Sequence, residues 1–186
     1  MNRSNKRLLL LAILILLLYI KLNVNNFIKV DNIEVVDNIE VVECTPEEIE
    51  LERFLNDIAF KESGNDYMIV NKYGYLGKYQ FSMKTLRGLG YQISKTDFLN
   101  NPFVQDTAMI DLLKYNKSAL QKYINKWDGK IYNGNQITES GILAAAHLGG
   151  AGSVRKYFKE GINKKDSFGT SIDDYITRFS GYKIKI

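Results

Sequence analysis

Cysteine and histidine occur once each in this chain of 186 residues, at Cys44 and His147, and proline occurs only twice. One cysteine closes no intramolecular disulfide, and one cysteine with one histidine builds no all-Cys/His tetrahedral zinc site. Any Ser-His-Asp or Cys-His mechanism would rest on His147 alone. Charge of one sign is also scarce. The net charge is +4, without the long basic runs of a nucleic-acid-binding arm, which argues against a nucleic-acid partner. What is present is globular: 45% apolar, 12% aromatic and 25% charged residues. The length allows one ordinary domain plus an appendage.

The chain reads as three parts. Residues 1–21 carry four basic groups and no acid, and Leu8 to Ile20 is an unbroken apolar run of 13 residues. As a helix that run reaches about 20 Å, short of a hydrocarbon core of about 30 Å. Basic residues followed by such a run form the n- and h-regions of a secretory signal. No small-x-small cleavage site follows, so two readings stand: a cleaved signal peptide, or an uncleaved membrane anchor through residues 8–20 flanked by Arg7 and Lys21. Either predicts an exported protein of the periplasm or cell envelope. Residues 22–44 hold one lysine against five acids and a tandem VDNIEV at 30–35 and 36–41. Two copies are too few for a solenoid, and the segment reads as an acidic spacer. Cys44 lies in it, far from the apolar run, which argues against lipid attachment.

The domain begins at Thr45-Pro46-Glu47-Glu48, where Thr at the N-cap, Pro at N1 and Glu at N3 compose a capping box. From 45 to 186 the pattern is mainly helical. Further helices are predicted at Ser82 or Met83 to about Gly88, Pro102 to Tyr123, Glu139 to Leu148, Ser153 to Lys159 and Ile172 to Phe179. Tyr67 to Phe81, rich in Tyr, Val and Ile and broken at Gly74 and Gly77, predicts a small β-hairpin or extended loop beside the first helix. Asn133-Gly134 marks another turn.

Leu51, Phe54, Leu55, Ile58 and Ala59 form one apolar stripe on the first helix. The same period reaches Glu62 in the last turn, just before Gly64 can end the helix. Burial and a helix C-terminus both disfavour the ionised carboxylate, and a general acid must keep its proton. The bland alternative turns Glu62 to solvent or pairs it with a lysine.

Glu62-Ser63-Gly64 is followed by Gly77-Lys78-Tyr79-Gln80, with Gly77 15 residues and Gln80 18 residues after the glutamate. Further on stands Ala146-His147-Leu148-Gly149-Gly150-Ala151-Gly152-Ser153-Val154. In order and spacing these blocks resemble the signature of the soluble lytic transglycosylase branch of the lysozyme superfamily: Glu-Ser, Gly-x-x-Gln and Ala-Tyr-Asn-Ala-Gly-x-Gly-x-Val. The resemblance covers about residues 58–182. It departs at His147-Leu148, where the family has Tyr-Asn, so an amide near the site is missing; His147 either supplies a polar contact or is simply packed.

The resemblance implies a mainly α, lysozyme-like fold and cleavage of the β-1,4 bond between N-acetylmuramic acid and N-acetylglucosamine in peptidoglycan, with no cofactor and no metal. It makes Glu62 the general acid and base, and Ser63, Tyr79, Gln80 and His147 candidates for contact with glycan strands. Ser63 has a plainer alternative as a cap of the helix end. Hydrolysis, as in a lysozyme, is the nearest rival and needs a second carboxylate; Asp66 is the first candidate by sequence, and Asp57 a weaker one on the polar face. A non-catalytic peptidoglycan-binding or assembly module also fits, because a fold does not guarantee an activity. A cysteine peptidase using Cys44 and His147 has little behind it, since nothing near Cys44 would favour a thiolate. The sequence is silent on oligomeric state.

Overall fold

The computed structural model describes residues 45–186. The expectations for the leader at 1–21, the spacer at 22–44 and Cys44 fall outside the described residues. Within them the chain is mainly α with one small antiparallel hairpin. The order is α1 (Pro46–Ser63), α2 (Met83–Gly88), α3 (Lys95–Leu99), α4 (Pro102–Trp127), β1 (Ile131–Tyr132), β2 (Asn135–Gln136), α5 (Glu139–Glu160) and α6 (Ile172–Arg178). Among the described residues, no helix is long and apolar enough to cross a membrane.

The predicted capping box opens α1. The Thr45 hydroxyl accepts from the Glu48 backbone N–H, and the Glu48 carboxylate accepts from the Thr45 N–H at 2.8 Å. Phe54, Ile58 and Ala59 of the apolar stripe are fully buried, each large side chain contributing about 1.5–3 kcal/mol. Gly64 ends α1 at φ 68°, the left-handed conformation that glycine adopts at least cost.

The centre of the core is α5. Ser140 to Ala146 are buried on every face of the helix, which packs against α4 on one side and α6 on the other. Two helices were expected here, ending and restarting around Gly149 to Gly152. Two helical stretches are observed within α5, joined across a kink at Gly150, whose φ 78° and ψ 155° lie in a backbone region that is essentially glycine's alone. The bend turns the chain just after His147.

The hairpin sits at the Asn133-Gly134 turn, pairing Ile131 with Gln136 and Tyr132 with Asn135. The segment after α1 takes the other form expected of it, an extended loop. Single bridges join Val70 to Leu76 and Leu76 to Phe81, and short turns fill the intervals. The short helix α3 was not anticipated. Five residues give no usable period, and its Ser94 cap reads as an ordinary loop serine.

Candidate active site

Glu62 lies in the last turn of α1 with its side chain 17% exposed, at the edge between core and cleft. It faces a pocket lined by Tyr73 and Tyr75 of the loop after α1, by Gln80, by His147 of α5 and by Asp166 and Phe168 of the loop before α6. A second hollow continues from it along Ser82, Thr85, Tyr115, Asn116 and the bend at Gly149-Gly150. Tyr75, Gln80, His147 and Leu148 line both hollows, so the two form one elongated cleft with Glu62 in one half.

Two groups face the carboxyl. The Tyr175 hydroxyl, from α6, donates a hydrogen bond to Glu62 Oε1. Burial, together with the Glu62 carboxylate itself, pushes the Tyr175 phenol far up, so it remains a donor across the whole working range. His147 Nε2 stands 3.9 Å from the same oxygen, beyond hydrogen-bond length. Burial holds the imidazole below the usual histidine range, against the opposing pull of Glu62 and the Tyr79 backbone. His147 is therefore neutral near pH 7 and brings no positive charge to the carboxyl. Among the described residues, no lysine or arginine pairs with Glu62. Tyr175 occupies Oε1 as a donor, which leaves Oε2 as the oxygen that can carry a proton toward the cleft.

The loop that carries Gln80 is tied to α1 and α4. The Ser63 hydroxyl donates to the Lys78 carbonyl at 2.7 Å and accepts from the Asp66 N–H at 3.1 Å. From α4, Gln105 Oε1 accepts from the Lys78 N–H at 2.9 Å. The Gln105 amide nitrogen donates to the carbonyls of Tyr67, Phe98 and Leu99 at 3.0–3.2 Å. Lys78 Nζ is itself buried against Asp106 and the Tyr67 hydroxyl. At the loop's end Gln80 is held at φ 52°, a left-handed conformation that costs a non-glycine residue about 1–2 kcal/mol. Its amide donates to the Gly77 carbonyl at 2.9 Å. Strain of this kind persists where surrounding bonds over-determine it, and it clusters at functional sites.

The sequence-derived residues therefore separate. Glu62, Gln80 and His147 are brought together in the cleft. Ser63 is not a cleft contact: its hydroxyl is spent joining the end of α1 to the Gly77–Gln80 turn, a longer-range form of the cap expected of it. Tyr79 is a correction. Its ring is buried in the core and its hydroxyl donates to Asp106 at 2.9 Å, while Gln80, left-handed at the end of the Gly77–Gln80 turn, takes the cleft side. Tyr73 and Tyr75 line the cleft in its place.

The second carboxylate also moves. Asp66 caps its own turn through the Met68 N–H, and Asp57 accepts from the Tyr182 hydroxyl on the exposed side of α1. Asp166 is the other carboxylate that lines the pocket with Glu62. It is more than 100 residues away in the chain, and its Asp-x-x-Gly-Thr setting reads only as a turn. Asn116 was missed likewise; it is buried on α4 with its amide edge in the cleft floor and its Nδ2 unpartnered. A polar residue on a helical stripe carries no mark of what it faces. No family model, curated protein or solved structure matches the chain, so its functional reading rests on this cleft and on the motif spacing.

Proposed function

We propose that the protein is a lytic transglycosylase that cleaves the bond between N-acetylmuramic acid and N-acetylglucosamine in peptidoglycan. The observation that carries this reading is the setting of Glu62: a carboxyl at a helix C-terminus, without a lysine or arginine partner among the described residues, held by a tyrosine donor and open to a long cleft. Protonated Glu62 gives its proton to the glycosidic oxygen as the bond to the muramic acid C1 breaks, and positive charge develops on the sugar ring. The resulting carboxylate then takes the proton of the 6-hydroxyl of that same sugar. The hydroxyl oxygen bonds to C1 and closes a 1,6-anhydro ring, so Glu62 ends protonated and no water is consumed. Tyr175 fixes which oxygen does this work, and neutral His147 packs the carboxyl without fixing its charge. Tyr73 and Tyr75 supply flat apolar faces for sugar rings, and Gln80 supplies a polar edge. Export through the apolar run at 8–20, to the cell envelope where such a substrate lies, belongs to the same proposal.

Asp166 supports a second reading, hydrolysis, because its carboxylate lines the Glu62 pocket and hydrolysis calls for a second carboxylate to activate water or to stabilise the charged sugar. The full chain incubated with purified peptidoglycan separates the two. Products of the transglycosylase carry anhydro ends lighter by one water than hydrolysed ends, and mass spectrometry reads that difference directly. Glu62→Gln is expected to abolish release of soluble fragments while circular dichroism shows an unchanged fold. Activity retained by Glu62→Gln would remove Glu62 from the chemistry. Binding to peptidoglycan without turnover by the unaltered chain would instead make the domain a non-catalytic glycan-binding module.

A further inference from the structure

The two loops that wall the Glu62 pocket meet across it. Tyr73, from the loop after α1, and Phe168, from the loop before α6, contact edge to face with ring centroids 5.5 Å apart. Lys72 Nζ sits over both rings, 5.1 Å from one centroid and 5.5 Å from the other. Both aromatics line the pocket with Glu62, so the contact stands at the cleft itself.

Each ring is presented by a turn of the same design. Asn71 Oδ1 accepts from the backbone N–H of Tyr73 at 2.8 Å and of Tyr75 at 3.1 Å. Asp166 Oδ1 accepts from the backbone N–H of Phe168 at 2.8 Å and of Thr170 at 2.8 Å. In both loops an Asn or Asp side chain clamps the second and fourth residues after it, and the aromatic is the second. The loops are pinned at their bases too, by the Val70–Leu76 bridge on one side and the Lys165–Ser171 bridge on the other. Two large apolar side chains, 49% and 64% exposed, are thus held over a cleft by built turns rather than left at floppy tips.

We propose that the Tyr73–Phe168 contact closes the cleft beside Glu62, so that the site takes glycan strands by their ends rather than at internal bonds. The proposal rests on the reaction put forward above and names the form of substrate that reaction uses. Rings in van der Waals contact leave no space for a pyranose to pass between them. A strand lying in the cleft must stop at the pair or thread beneath it, and either route requires a free chain end. The far half runs past Gln80 toward Ser82 and Tyr115 and holds the rest of the strand.

The test is a time course of the full chain on peptidoglycan, with chromatography of both the soluble products and the strands that remain insoluble. End-wise action releases short disaccharide units from the first time point while the remaining strands keep their length. Tyr73→Ala and Phe168→Ala each remove the contact from an exposed position. Both variants are expected to release fragments of intermediate length and to shorten the remaining strands several-fold before much material dissolves. Early shortening by the unaltered chain would overturn the proposal while leaving the cleavage reaction intact. So would short products from both variants in the proportion given by the unaltered chain. No release at all by the unaltered chain would overturn the proposed reaction, and this inference with it.

Discussion

At the scale of single residues, the site is arranged by what each side chain is prevented from doing. Tyr175 cannot ionise, so it donates to Glu62 at every relevant pH; His147 cannot easily take a proton, so it does not act as the carboxyl's counter-ion. The cost of keeping His147 neutral appears in the dependence of stability on pH. Its folded pKa lies below the unfolded value of about 6.5, so the unfolded chain binds more protons as pH falls through that region. Stability should be full above about pH 6.5 and fall below it. His147→Gln should flatten that part of the curve, as urea unfolding followed from about pH 7.5 to about pH 5 would measure. Parallel loss in both proteins would free His147 of responsibility. Some of this site was legible before the fold was known. Glu62 follows from a helical period that runs into a glycine, and Gln80 and His147 are what the family resemblance points to. Tyr79 differs because a motif fixes backbone position, while the Gly77–Gln80 turn decides which side chain meets the cleft.

At the scale of elements, the cleft depends on how closely α5 and α6 approach. A Cβ built on Gly141 would lie 2.5 Å from the Ile176 carbonyl oxygen, a backbone atom that cannot move aside alone. Gly141→Ala should therefore push α6 away from α5 and cost about 1–3 kcal/mol, read as a lower urea midpoint with unchanged slope. Because α6 carries Tyr175, the same variant should also loosen the hold on Glu62. The helices α1, α4 and α6 were readable from caps and apolar period, because those signals are local. The far wall of the cleft was not. The loop carrying Asp166 and Phe168 has no period, and its partner loop is about 90 residues earlier, so their meeting is a product of packing alone.

At the scale of the molecule, charge belongs to the parts and not to the sum. Residues 1–21 carry +4 and residues 22–44 carry −4, while 45–186 hold 20 basic against 16 acidic groups. The domain's excess suits an anionic polymer and acts through exposed charges, which salt screens over about 10 Å at 0.1 M. Sedimentation of the Glu62→Gln protein with insoluble peptidoglycan should therefore fall several-fold as salt rises from about 0.05 to about 0.5 M. Equal retention at both salt levels would assign binding to the apolar faces of the cleft alone. One buried amide has a consequence of another kind. Gln105 and Ser63 together fasten both ends of the stretch between α1 and Gln80, and neither fastener draws on Asn71 to Tyr75. That stretch is a replaceable cassette. Loops of other lengths and compositions grafted between the same two fasteners should change which polymers the cleft accepts while Glu62 and Tyr175 stay where they are.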